Sequence, residues 1–266
     1  MIQYIREFID RLNEHRVTAL AAQLSYYMIL SFFPFMIFLL TLVGFSSLDA
    51  GEVLLSLEKL LPYEAFVLIR DTIVQVVDNK SGNLMSFGII LTLYSGSRGI
   101  KALNHGLNTA YNCDERRSFI KGTIISILFL IVLAVAIVGA FLLIVFGQMI
   151  GTAIVNFLNL DSAFAINWNI YRYIFSVVLM FFIFSGIYAY LPTKRLHWWD
   201  VIYGSLFCTL GWIIASLGFA FYVNNFSNYS SLYGGLGAVI VLMSWIYMSS
   251  IIILVGGEIN AFLSEG

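Results

Sequence analysis

Charge is scarce in this sequence: Asp, Glu, Lys and Arg make up only 11% of its 266 residues, against about 25% in soluble globular proteins. That shortage excludes an ordinary water-soluble fold, whose surface needs far more charge. Neither sign is in excess. Fourteen basic residues against fifteen acidic ones leave no basic stripe of the size a nucleic-acid surface requires, so nucleic acid is not expected as a partner. Proline is rare too, with three in the chain. No Pro-, Ser- or charge-rich linker marks a boundary, so residues 1–266 read as one domain. The two cysteines, Cys113 and Cys208, fall at the end of one hydrophobic stretch and inside another. They read as free thiols in a reducing compartment. The three histidines, His15, His105 and His197, lack metal-ligand spacing with each other or with a nearby cysteine. No metal and no cofactor is therefore expected. Without a His-x-His pair, a clustered set of acids or a Gly-x-Ser-x-Gly turn, the chain is not read as an enzyme.

Apolar residues fill the space that charge leaves. They make up 60% of the chain, and mean hydropathy is +0.90. Six stretches, at about 17–45, 83–108, 122–147, 170–191, 201–223 and 236–262, approach or exceed the roughly 20 helical residues that cross a hydrocarbon core about 30 Å thick. The expected fold is all-α, a polytopic membrane protein with six transmembrane helices. Ahead of them, Ile2, Ile5, Phe8, Ile9 and Leu12 alternate with Arg6, Glu7, Asp10, Arg11, Glu14 and Arg16 at helical spacing, which predicts a helix lying on the membrane surface. Between the first two stretches, Ser46 to Gly82 predicts two short extracytoplasmic helices split at Pro62.

Loop charge sets the orientation. Arg6, Arg11, Arg16, Arg116, Arg117, Lys121, Lys194 and Arg195 fall on one side, against Lys59, Arg70, Lys80 and Arg172 on the other. Eight against four places both termini in the cytoplasm.

The second stretch is internally divided, because the apolar run Leu84 to Tyr94 leads directly into Arg98, Lys101, Asn104, His105 and Asn108. Steps of four and three from Tyr94 reach Arg98, Lys101, His105 and Asn108, with Asn104 on the adjoining flank. Two cations near mid-membrane cost about 5 to 7 kcal/mol on an insertion scale, whereas the apolar residues around them return only about 4. The charges must snorkel to headgroups, pair with an acid, or line a wet cavity. Glu258, in the cytoplasmic half of the sixth stretch, is an available acid, and its ion pair with Arg98 or Lys101 is the expectation. Gln23, Tyr26 and Tyr27 of the first stretch lie at the same level, below Pro34, which invites a kink. Lys194, Arg195 and Asp200 form the cytoplasmic rim. Together these groups predict a vestibule open to the cytoplasm and suited to a phosphate-bearing lipid. Gly204, Cys208, Gly211, Ala215 and Gly218 make a small-residue stripe for close helix packing. Gly147 and Gly151 form a GxxxG too common in membrane helices to assign a dimer.

Four segments carry a family resemblance: ALAAQLSYYMILSFFPF (Ala19 to Phe35), SGSRGIKALNHGLNTAYN (Ser95 to Asn112), LPTKRLHWWDVIYGSL (Leu191 to Leu206) and YGGLGAVIVLMSWIYMSSIIILVGGEINA (Tyr233 to Ala261). They resemble the YihY/BrkB family of bacterial inner-membrane proteins across nearly the whole chain. The resemblance implies a six-span protein linked to envelope integrity, with members named for virulence and others linked to transport. An older ribonuclease label for this family finds no metal-binding cluster among the residues. The resulting expectation is a protein that binds and translocates an anionic lipid or similar amphiphile, with membrane lipids as partners. The alternatives are a non-transporting scaffold that contacts a second copy or another envelope protein, and an enzyme on lipid headgroups using Glu258, His105 or Asp200 as base.

Overall fold

The computed structural model describes residues 2–45, 82–115, 117–145, 162–226 and 235–265. Within them the chain is helical: α1 (Ile2–Glu14), α2 (Val17–Phe45), α3 (Gly82–Ala110), α4 (Phe119–Val145), α5 (Ser162–Tyr190), a 3-10 turn (Trp198–Val201), α6 (Ile202–Phe226) and α7 (Gly235–Glu265). This is an all-α polytopic membrane protein. Among the described residues five helices are long and apolar enough to cross a membrane, namely α2, α4, α5, α6 and α7. The remaining long helix, α3, matches α2 at 29 residues, about 43 Å at 1.5 Å per residue, but carries the charge and amides of its second half. Its length spans a bilayer; its composition relies on neighbours to do so.

Those neighbours are set by glycine. Gly88 and Gly99 let α2 lie directly on α3, where a Cβ at Gly88 would stand 3.2 Å from the Phe38 backbone nitrogen and one at Gly99 would stand 3.6 Å from Tyr27 Cβ. Leu130 of α4 covers Gly96, and Leu254 of α7 covers Gly106. Helix α7 also packs on α2 and α6, and α5 packs on α6. The helix ends nearest Val17, Ala110, Phe119, Tyr190, Ile202 and Glu265 all lie together, and we call this the terminal end of the bundle.

The core is concentrated there. Leu107, Tyr188, Leu191, Val201, Cys208 and Leu254 are buried against one another, and the Tyr188 hydroxyl donates to Ile253 O at 2.7 Å. Toward the other end α6 loses this packing, which corrects the reading of its small-residue stripe. Gly204 is pressed onto α7 and Gly211 faces Ile252, but nothing lies within 4 Å of a Cβ at Gly218. Gly218 therefore makes no close helix contact among the described residues, because the α6–α7 contact at its level runs along another side of the helix, where Trp245 Nε1 donates to Ser216 Oγ at 3.3 Å.

Helix α3 stops in a Schellman turn: Asn112 takes φ 50°, its N–H donates to Thr109 O at 3.1 Å, and the Cys113 N–H reaches Asn108 O at 2.9 Å. Asparagine is the commonest substitute for glycine in this left-handed position. The expected short helices in 46–82, the Gly147–Gly151 pair and most of the loop from Asn224 to Gly237 lie outside the described residues.

Candidate functional site

Glu258 sits two turns before the end of α7 and is 1% exposed, the one acid or base among the buried residues described. A carboxylate so placed requires partners, and α1 supplies them. Arg11 Nε donates to Glu258 Oε2 at 3.1 Å, and His15 Nδ1 lies 2.8 Å from Oε1. The same guanidinium donates to Ala110 O at 2.7 Å and to both oxygens of Glu265. One side chain thereby joins α1, the last residue of α3 and the end of α7. The local sequence explains the aim: Arg11 and His15, four residues apart, flank Phe8 and Leu12 on one face of α1. Phe8 meets Phe262 edge-on with ring centroids 5.6 Å apart, and Leu12 packs on the core.

A second polar cluster closes the loops at the same end. Asn104 Nδ2 donates to Glu115 at 2.5 Å and Asn108 Nδ2 donates to the same oxygen at 3.2 Å. Asn108 also holds the Thr193 N–H at 2.8 Å, and Arg117 donates to Leu191 O at 2.9 Å and Pro192 O at 2.7 Å. Burial opposes ionisation of Glu115, but the bonds from the Arg117 N–H, Asn104 and Thr193 outweigh it and hold the carboxyl below its ordinary value of 4.5. A depressed folded-state value means that this acid's contribution to stability is complete above 4.5 and is lost as pH falls through the lower, folded value. Backbone exchange at Arg117 and Thr193, corrected for intrinsic rate, is therefore expected to accelerate as pH falls below about 4.5, and Glu115→Gln to remove that difference. PH-independent protection in the unaltered protein would contradict this account.

The third feature is the outward wall of α3. Tyr94 is 59% exposed, and Arg98 and His105 are exposed on the same side. The Arg98 guanidinium lies over the Tyr94 ring at 5.4 Å from its centroid, with Nη2 3.4 Å from the hydroxyl. Helical side chains lean toward the N-terminus of their helix, so Arg98 leans away from the terminal end. It stands twelve residues before Ala110, about 18 Å along the helix. Among the described residues no carboxylate lies within ion-pair distance of it. Lys101, one turn nearer the terminal end, is tied to α4 instead, with Nζ 2.7 Å from Thr123 Oγ1 and 4.4 Å from the centroid of Phe119.

With this geometry in view, residues 8–266 match the family described as virulence factor BrkB. The chain belongs to that family. It is 40% identical to the putative ribonuclease-like protein YfkH of Bacillus subtilis (strain 168), over 99% of this chain and 96% of the relative. It is 26% identical to a UPF0761 membrane protein of Vibrio atlanticus, covering 99% of this chain and 83% of the relative, and 26% identical to another of Vibrio cholerae, covering 99% and 88%. No solved structure matches.

In this BrkB-family chain the residues expected to line one vestibule are distributed over five places. Tyr94, Arg98 and His105 face outward from α3. Lys101 belongs to the α3–α4 contact, and Asn104 and Asn108 belong to the loop cluster around Glu115. Gln23 and Tyr26 are exposed on α2, while Tyr27 lies in the α2–α3 seam against Gly99. They do not converge because the bundle interior at that level is filled by Leu103, Leu107, Tyr188 and Leu254. The rim also separates. Lys194 and Arg195 are exposed, whereas Asp200 accepts the His197 N–H at 3.0 Å and caps the 3-10 turn. Glu258 is ion-paired, but the expected partners Arg98 and Lys101 are corrected to Arg11 and His15, since α3 turns its cations away from α7. Sequence reasoning passed over Arg11, His15, Glu115, Arg117 and Thr193. The available signal was the position of Arg11 and His15 beside the apolar face of α1, where a surface helix meets its protein neighbour.

Proposed function

We propose that this protein resides in the bacterial cytoplasmic membrane with both termini in the cytoplasm, and that it binds and translocates a phosphate-bearing anionic lipid along the outward wall of α3. The observation that carries this reading is Arg98: exposed, stacked on Tyr94, about 18 Å from the terminal end of its helix, and directed away from that end. A guanidinium at such depth is costly unless an anion meets it, and arginine binds phosphate in bidentate fashion while tyrosine donates a further hydrogen bond. The polar strip continues toward the terminal end through His105, whereas Phe87 and Ile90 make the opposite half apolar. A headgroup entering from the cytoplasmic leaflet would travel along the strip with its acyl chains remaining in the bilayer. The eight-to-four distribution of basic residues supports the orientation.

The test is mass spectrometry of lipids that co-purify in mild detergent. Arg98→Ala is expected to lose anionic phospholipid by about tenfold, as the loss of one charge-assisted hydrogen-bond pair implies, and Arg98→Lys to retain part of it. Flipping of a fluorescent analogue of the retained lipid in vesicles should fall in parallel. Equal, non-selective retention by the original protein and Arg98→Ala would contradict lipid binding and favour the scaffold, with Arg98 taking an acid from a partner helix. A headgroup-modifying enzyme has less support. Glu258 is engaged at both oxygens by Arg11 and His15, and Asp200 is occupied as a cap.

A further inference from the structure

We propose that α1 is a hinged lid on the terminal end of the bundle, latched to Glu258 through Arg11 and His15 and swinging about Arg16 to uncover that carboxylate. The hinge is a single residue. The His15 N–H still bonds Arg11 O at 2.9 Å and the Arg16 N–H bonds Asn13 O at 3.1 Å, while the Ala19 and Leu20 N–H groups already bond Arg16 O at 2.9 and 3.1 Å. One helix ends and the next begins with no linker between them. Arg16 achieves the change of direction in the left-handed region, φ 50°, a conformation that side-chain-bearing residues rarely adopt. Rotation at that one residue moves α1 as a rigid piece and leaves α2 in place.

The attachment has the character of a latch. Along its length α1 is held by the polar contacts of Arg11 and His15 and by the apolar pair Phe8 and Leu12. Tyr4, Ile5 and Ile9 of the same helix are exposed. Beside the latch a cleft of about 580 Å³ undercuts the polar side of the helix, lined by Gln3, Arg6, Glu7, Asp10, Glu14 and Asn112 among others. A helix seated on one edge, with solvent-filled space along another, separates from its support more readily than one buried on both sides. Closure matters most at Glu258, because among the described residues its oxygens are bonded only by Arg11 of α1 and by His15, the residue that follows α1. Swinging α1 away opens this acid to the cytoplasmic face in one step.

The experiment is hydrogen exchange of the full-length protein in lipid nanodiscs, read together with labelling of Glu258 by a water-soluble carbodiimide and glycine ethyl ester. The α1 amides are expected to exchange as one block, about tenfold or more faster than the first turns of α2 and the last turns of α7. Joining Phe8→Cys to Phe262→Cys with a short bis-maleimide, in a Cys113→Ser, Cys208→Ser background, should abolish that fast exchange. It should also reduce labelling of Glu258 by about the same factor. Exchange of α1 at the same rate as α2 and α7 in the unaltered protein would overturn the lid, whatever the cysteine variants do. Equal labelling of Glu258 before and after cross-linking would overturn it as well.

Discussion

Arg11→Ala is expected to destabilise the folded protein by about 3 kcal/mol or more, the cost of leaving a buried charge without its partner. The reason is an asymmetry between the two members of the pair. The Arg11 side chain is 13% exposed and that of Glu258 2%, so removal of the guanidinium strands the more deeply buried charge. It also removes the donor to Ala110 O and to Glu265. Glu258→Gln strands less: the amide oxygen still accepts from Arg11 or His15, and the guanidinium keeps its bonds to Glu265 and Ala110. The arginine variant should therefore unfold well before the glutamine variant in a thermal or denaturant titration in detergent micelles. The double variant should be more stable than the sum of the two single changes predicts, by about 1 kcal/mol or more, because the lone buried carboxylate has gone. Strictly additive effects would mean that Arg11 and Glu258 do not interact in the folded protein, and the docking of α1 would need another explanation.

How much of this is legible in the sequence follows from the kind of signal each part leaves. The long helices leave the strongest one, an apolar run, and among the described residues five of them are long and apolar enough to cross a membrane. Helix α3 was legible by its conflict: its apolar half is too short to span and its polar half must be accommodated. The sequence marks that polar strip without saying which way it faces. Direction is decided by Gly88, Gly96, Gly99 and Gly106, which bring α2, α4 and α7 onto three parts of the α3 surface and leave Tyr94, Arg98 and His105 outside. Glu258 was legible as an acid available for an ion pair inside the bundle. Its partner was not, because the cation comes from α1, 247 residues away in the chain, and nothing in a hydropathy profile says where a surface helix docks. The loop cluster around Glu115 was hidden for a similar reason. Asn104 and Asn108 read as part of the α3 strip, yet they lie close enough to its end to serve the loops that follow α3 and α5.

Gly204→Ala should be the most damaging small substitution in the bundle, costing about 3 kcal/mol, the upper part of the range for overpacking. The first turn of a helix has N–H groups without intrahelical acceptors. In α6 the Gly204 N–H, close to that turn, is met by Asn260 Oδ1 of α7 at 2.6 Å, in a buried position. So close an approach leaves no room for a side chain. A methyl group at Gly204 would overlap the Gly256 carbonyl oxygen and the Asn260 side chain. Asn260 can turn aside, but the Gly256 carbonyl is backbone and moves only if α7 moves. Helix α7 is in turn fixed at that level by Tyr188, whose hydroxyl donates to Ile253 O and packs on Gly256. Adding Asn260→Ala to Gly204→Ala should accordingly recover little stability, which separates a backbone collision from a side-chain one. Gly218→Ala on the same helix, with open space around it, should be neutral or stabilising by up to about 1 kcal/mol through lower conformational freedom in the unfolded chain. Thermal unfolding of the three variants in detergent checks the order. If Gly204→Ala and Gly218→Ala unfolded together, the close α6–α7 crossing at the terminal end would be refuted. The seat of Glu258, which lies between Gly256 and Asn260 on the same turn of α7, would then need to be redrawn.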